Sequence, residues 1–302
     1  MKTITIFGGT GFIGSHLIPV LLAKNYRLKL VSREAKLPSK LQQVGTNEQI
    51  IQIKASFNDF HSIVEAVTGA DIVINLIGIL NEQGSQTFES IHIEIIKKLV
   101  EACKSQNVKR LIHISALGAN IHANSKYLQS KGRAEQIISE NFLQYTILKP
   151  SLVYGPGDIS INSFAQMMLK APILPLFLNG EAIFQPVYVK DLANAILFSV
   201  ENNDSISKVY ELGGDEIVTM RQLLEKISRY LAKKIYFIPL ANWLSEILAT
   251  IFGLMPNPLI TRDTLKNMRV PNQISGNLPG FKEMGITPVN IDGIIPTYVL
   301  KQ

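Results

Sequence analysis

A short apolar run, Thr3-Ile4-Thr5-Ile6-Phe7, leads directly into Gly8-Gly9-Thr10-Gly11-Phe12-Ile13-Gly14, and a helical pattern follows. No other stretch constrains the fold as strongly. Glycines 9, 11 and 14 make the G-x-G-x-x-G spacing, and a strand before it and a helix after it are the opening of a βαβ unit. A pyrophosphate needs backbone N–H donors brought close, which requires missing side chains and an exposed helix amino terminus. Gly8, Thr10, Gly11, Phe12, Ile13 and Gly14 are therefore assigned to a dinucleotide.

The pattern that begins here repeats. Short β-branched runs at 3–7, 27–31, 50–54, 72–76, 111–115 and 145–148 alternate with helical patterns at 12–24, 59–67, 88–105 and 125–141. Such alternation predicts an α/β, doubly wound parallel Rossmann sheet spanning residues 1–150. After Pro150 the punctuation changes to Gly155-Pro156-Gly157, Pro172, Pro175, Gly180 and Pro186. Residues 151–302 read as a smaller carboxy-terminal substrate lobe, with about 181–200 returning to the first domain. Further helices are predicted at 189–200, 220–231 and 241–252.

The 302 residues are 46% hydrophobic and 18% charged, enough apolar material for a sizeable core. The net charge of +6 has no basic run or aromatic-basic alternation, which argues against nucleic acid and for an anionic cofactor or an acidic membrane surface. Cys103 stands alone in an apolar helical pattern, as a buried structural thiol would. The five histidines, His16, His61, His92, His113 and His122, show no metal-ligand spacing, so no metal site is predicted. No signal-peptide pattern opens the chain, and a cytoplasmic location is the expectation.

Residues at the ends of the later strands refine the cofactor assignment. An acidic residue ending the second strand accepts from a ribose 2′-OH, whereas an arginine accommodates a 2′-phosphate. Here the strand ends in Ser32-Arg33-Glu34. This favours NADP(H), while Glu34 leaves NAD(H) open. Ser56 and Phe57 are placed along the adenine, although Phe57 and Asn58 equally suit the start of the next helix. Leu76, Ile77 and Gly78 end the fourth strand beside the cofactor path.

The chemistry rests on "SALGANIHANSKYLQSKGRAE", Ser115 to Glu135. Tyr127 and Lys131 are four apart and project from one helix face. A phenol titrates near 10, and an adjacent ammonium stabilises its phenolate and moves it towards neutrality. Tyr127 then exchanges a proton with a substrate hydroxyl or carbonyl, Lys131 binds nicotinamide-ribose hydroxyls, and Ser115 holds the substrate oxygen. Asp191 is read as orienting a substrate loop or, preferably, capping the following helix.

Together "GGTGFIGSHL", "NLIGIL", "HISALGA", "YLQSK", "LKPSLVYGPGD" and "FQPVYVKDLANAI", in this order, resemble the extended and atypical branch of the short-chain dehydrogenase/reductase superfamily, the NAD-dependent epimerase/dehydratase-like proteins. Within it, "SALGA", the arginine-ended second strand and "LITRDTLKNMRVPNQIS" are most similar to relatives of the nucleotide-binding accessory subunit of respiratory complex I. The resemblance implies a Rossmann domain with bound NADP(H) or NAD(H). Matched residue by residue, it implies Gly8, Gly11 and Gly14 in the cofactor loop, Arg33 on the 2′-phosphate and Tyr127 with Lys131 as catalytic pair. Lys149, Pro150 and Val153 then lie beside the nicotinamide. Two departures stand out: Ser115 precedes Tyr127 by only twelve residues, and no second acid/base carboxylate is evident.

Two functions are consistent with these residues. One is an NADP(H)-dependent oxidoreductase acting on a carbonyl or alcohol of an apolar small molecule, motivated by hydrophobic 164–177 and 241–254. The other is a non-catalytic nucleotide-binding structural or assembly protein, peripheral to a membrane or within a protein complex. Leu240, Trp243, Leu244, Ile247, Leu248, Ile251 and Phe252 fall at helical spacing, read first as a core-facing or substrate-covering face and second as a membrane or partner face.

Overall fold

The computed structural model describes residues 1–34, 49–255, 258 and 260–299. Strands β1 (Thr3–Phe7), β2 (Arg27–Ser32), β3 (Ile50–Lys54), β4 (Ile72–Asn75), β5 (Arg110–Ile114), β6 (Tyr145–Pro150) and a late strand, Lys208–Leu212, form one parallel sheet. Its order is β3-β2-β1-β4-β5-β6 and then Lys208–Leu212, with the strand order reversing between β1 and β4. That reversal opens a crevice at the carboxyl ends of the two strands, where ligands of open α/β sheets bind. The seventh strand departs from the six read in the sequence. Its central run is short and flanked by Lys208 and Glu211, so it lacks the long β-branched signature of the inner strands.

Both sheet faces are covered, which is why the inner strands are apolar throughout. Helix α1 (Phe12–Ala23) and a later helix, Val189–Glu201, cover one face, where Leu17, Ile18 and Leu21 pack with Leu192 and Ile196 over Ile4, Ile6 and Ile112. On the other face lie α2 (Phe60–Val67), α3 (Ile95–Ser105, preceded by a π-helical turn at Glu89–Glu94) and α4 (Lys126–Asn141), around Phe7, Val73, Leu99 and Leu111. Fully buried Cys103 belongs to this second cluster, and burial pushes its thiol up to about 12.

A third apolar cluster lies beyond β6. It is built from β7 (Val153–Tyr154), α5 (Ser160–Lys170), β8 (Ile173–Leu176), β9 (Ile183–Phe184), β10 (Val187–Tyr188) and, after α6 (Val189–Glu201) and β11 (Lys208–Leu212), from β12 (Val218–Thr219) and α7 (Met220–Tyr230). The chain ends through β13 (Tyr236–Pro239), α8 (Asn242–Phe252), α9 (Arg262–Met268) and α10 (Ile291–Val299). α6 and β11 return to the sheet, whereas β8 pairs with β13 apart from it. Among the described residues, no helix is long and apolar enough to cross a membrane.

Candidate active site

The glycine loop is shaped for close backbone approach. Gly8 has φ +77°, and Gly11 N–H closes the turn by donating to Gly8 O at 3.1 Å. A Cβ on Gly14 would sit 2.1 Å from Gly9 O, so only glycine lets the first turn of α1 lie against the loop. Gly11 is the N-cap and supplies no side-chain acceptor. The first-turn N–H groups have no intrahelical partner, and Phe12 and Ile13 line a cavity together with Leu76 and Ile77 beyond the end of β4. These residues fit the diphosphate of a dinucleotide.

A cavity of about 330 Å³ continues from α1 to the amino terminus of α4. Its wall takes in Phe12, Ile13, Leu76, Ile77, Gly78, Ser115, Tyr127, Lys131, Pro150 and Val153, ten positions assigned above from the sequence. Gly8, Thr10, Gly11, Gly14, Ser32, Arg33, Ser56 and Phe57 lie outside that wall. Gly8 backs onto the Leu76–Ile77 peptide, and Gly8 N–H donates to Val31 O, which joins the loop to the end of β2. Ser32 follows there, with Arg33 exposed beyond it. Phe57 packs its ring 6.0 Å from Phe7, and the cap of α2 is Asp59, which accepts from the N–H groups of His61 and Ser62. Asn58 is therefore not the cap.

Tyr127 and Lys131 share one face of α4, as their spacing predicts, but their electrostatics depart from expectation. Burial pushes the Tyr127 phenol up to about 12, and Lys131 brings no compensating fall. Lys131 is itself buried and held down to about 8, and its Nζ donates to Ile114 O at 2.6 Å. Desolvation outweighs the attraction of the pair. Tyr127 is thus a neutral phenol near pH 7, flanked edge-on by His92 and Phe88 at 5.8 and 5.9 Å.

Ser115 is also committed differently than expected. Its hydroxyl donates to Glu135 Oε1, while Glu135 Oε2 receives Lys149 Nζ at 3.1 Å; Lys149 also donates to Ala119 O. Facing the cavity, Ser115 has only lone pairs to offer. Burial raises the Glu135 carboxyl, and Lys149 opposes that rise. Glu135, four residues beyond Lys131 on the same helix face, is thus a buried partner of Ser115 and Lys149 behind the cavity wall. Lys149, placed beside a nicotinamide by the resemblance, is its partner.

Two further groups position the site. His92 Nε2 accepts from Ile79 N–H at 3.1 Å, its Nδ1–H donates to Ser130 Oγ at 2.8 Å, and Ser130 donates to Tyr127 O. This chain fixes the neutral ring between the loop after β4 and helix α4. Burial and the Lys131 charge hold His92 down to about 3. At the start of α4, Asp263 of α9 accepts from Lys126 N–H, Tyr127 N–H and Ser125 Oγ at 2.7–3.0 Å. A carboxylate there complements the helix dipole. Asp191 neither caps α6 nor reaches the cavity; it accepts from Val289 N–H at 2.8 Å and ties the carboxy-terminal segment down.

Comparison with known proteins places this geometry in context. The NAD(P)H-binding family pattern matches residues 8–160. The mitochondrial NADH dehydrogenase [ubiquinone] 1 alpha subcomplex subunit 9 of Rattus norvegicus is 28% identical over 95% of this chain and 77% of its own length. A ceramide reductase of Caulobacter vibrioides is 22% identical over 63% of this chain and 58% of its own. Among solved structures, the UDP-glucuronic acid 4-epimerase of Bacillus cereus, bound to UDP-glucuronic acid and NAD, superimposes with a TM-score of 0.75 at 19% identity over 99% of both chains. The last likeness shows the shared fold.

Proposed function

The chain belongs to the NAD(P)H-binding family, and from that premise we propose that it is a nicotinamide-dinucleotide-dependent reductase of an apolar carbonyl compound, with NADP(H) preferred. One observation carries the reading: the neutral phenol of Tyr127 stands in the wall of an apolar cavity shared by the first turn of α1 and the buried ammonium of Lys131. The cofactor assignment rests on Gly8, Gly11 and Gly14 for the diphosphate and on exposed Arg33 for a 2′-phosphate.

A dihydronicotinamide held by the Gly8–Gly14 loop and Lys131 would supply a hydride to the carbonyl carbon. The chain's own groups do the rest. As the carbonyl C=O π bond breaks, Tyr127 Oη–H donates its proton to the developing alkoxide, leaving an alcohol, and the phenolate regains a proton from solvent. A phenol held at about 12 stays protonated near pH 7, the form in which reduction uses it. Ser115 then accepts from the newly formed hydroxyl, because its own proton points to Glu135. Phe12, Ile13, Leu76, Ile77 and Val153 keep water from the reacting carbon.

The same observations favour a second reading in one respect. A phenol raised by burial and a serine already hydrogen-bonded inside the protein suit a stable nucleotide-holding scaffold, and the rat relative is a subunit of a larger enzyme. The deciding experiment follows oxidation of NADPH and NADH at 340 nm with a panel of long-chain aldehydes and ketones. Consumption of NADPH that falls by roughly 10²–10⁴-fold in Tyr127→Phe, with nucleotide still bound, supports the reductase. Tight nucleotide binding without turnover, together with a silent Tyr127→Phe, establishes the scaffold instead.

A further inference from the structure

Helix α8 buries only part of its apolar surface. Ser245 and Ala249 face inward, with Leu178 N–H donating to Ser245 Oγ, while Leu244 and Leu248 pack at the edge of the lobe's core. The opposite stripe is open: Trp243 is 66% exposed, Ile247 50%, Ile251 54% and Leu254 86%. Spacings of four residues align Trp243, Ile247 and Ile251 on one face of the helix, and Leu254 follows just past its end. The core-facing expectation for this helix thus holds for only half of its apolar residues. Next to it, β8 and β13 expose alternate residues on one side of their ribbon, Ile173 and Pro175 beside Tyr236 and Ile238.

Charge is concentrated in the same part of the chain. Between Lys226 and Val270 there are seven Lys or Arg against two Asp or Glu, a net +5 within a chain of net +6. Arg229, Lys233, Lys234 and Lys266 are exposed, as are Arg262 and Arg269, which pair with Glu246 of α8, while Lys226 pairs with Glu216 and Asp292. Lys234 lies 5.3 Å from the Tyr236 ring centre. A second copy of this face would set like charge against like charge, and lysine is depleted at protein interfaces. An apolar stripe carrying tryptophan and rimmed by long basic side chains instead matches the boundary between lipid headgroups and acyl chains.

We propose that the α8 face, with the adjoining β8–β13 ribbon, docks the protein on an anionic bilayer surface. α8 packs against α9, and α9 supplies Asn267 and Met268 to the cavity wall, so the docked face adjoins the cavity. A ligand partitioned in the bilayer then has a short path to Tyr127. The docking surface does not depend on turnover and holds for either reading of the function.

Trp243 is the only tryptophan of the chain, so its fluorescence reports this contact directly. The full-length protein is titrated with phosphatidylcholine vesicles and with vesicles in which one-third of the lipid is phosphatidylglycerol. The expected result is a blue shift and co-sedimentation with the anionic vesicles, weakened by high salt and by at least about tenfold in Ile247→Glu and Ile251→Glu. Absence of a blue shift overturns the proposal, as does unchanged vesicle affinity in both variants. A lipid-free dimer that dissociates in Ile247→Glu would assign the stripe to self-association and overturn it as well. Unchanged thermal unfolding and nucleotide content in the variants show that they remain folded.

Discussion

Helices α4 and α8 break the ordinary rule of burial in opposite senses. α4 sets Lys131 inward against Ile114 O and Glu135 against Ser115 and Lys149, while α8 lifts Trp243, Ile247 and Ile251 out of the interior. Burying charge costs several kcal/mol per ion unless partners are well placed, so the α4 arrangement survives only because each group answers another. Exposing an apolar stripe costs the folded chain little, because the unfolded chain exposes it too. One region is therefore tightly coupled to stability, and the other is nearly free of it and available for an external partner.

The largest test of that contrast removes Glu135. Glu135→Ala leaves Lys149 buried without its counter-charge and Ser115 without its acceptor, and should cost about 3–5 kcal/mol of unfolding free energy. Combining it with Lys149→Met should recover much of this loss, since the unpaired charge is then gone. Urea denaturation of the two single variants and the double variant measures the coupling. Additive losses below about 1 kcal/mol would show that α4 holds no buried ionic couple and would dissolve the comparison.

Much of the α4 site was legible in the sequence, and little of the α8 surface was. The inner strands announce themselves through β-branched runs, and Tyr127 and Lys131 through four-residue spacing on a helix following β5. Glu135 continues that spacing and could have been found by extending it one more turn. Asp263 could not: it reaches the Tyr127 N–H from 136 residues away, and only the folded chain joins them. The sign of the Tyr127 shift was hidden for a related reason, since spacing shows that an ammonium is near but not how dry both groups are. On α8, apolar residues cover more than one face, so periodicity identifies a helix without choosing which stripe turns inward.

A smaller effect is expected from His92, whose neutral ring joins the α4 cluster with Lys131, His113 and Tyr127 around it. Its folded value of about 3 lies below the ordinary 6.5. The sign follows directly: the stabilising contribution is complete above about pH 6.5 and is lost as pH falls towards 3, because the unfolded chain takes up a proton that the folded chain refuses. Between about pH 6.5 and 4.5 this amounts to roughly 2–3 kcal/mol. His92→Gln retains an acceptor for Ile79 N–H without the titration, so its stability should fall less steeply over this range. Parallel slopes for the two proteins would remove His92 from the set of buried groups that set acid stability.

The smallest effect belongs to α8, and its smallness is the point. Ile247→Lys replaces an exposed side chain on a helix whose inward contacts come from Leu244, Ser245, Leu248 and Ala249. Lysine has a helix propensity at least as good as isoleucine's, and its stem covers similar surface. Unfolding free energy should move by no more than about 0.5 kcal/mol, measured by the same urea titration. A loss above about 2 kcal/mol would mean that Ile247 is held by the protein's own interior, and the stripe would then be core rather than contact surface. With stability unmoved, any change that Ile247→Lys produces on vesicles belongs to the bilayer contact alone, and the two helices separate cleanly into one that the fold needs and one that a partner uses.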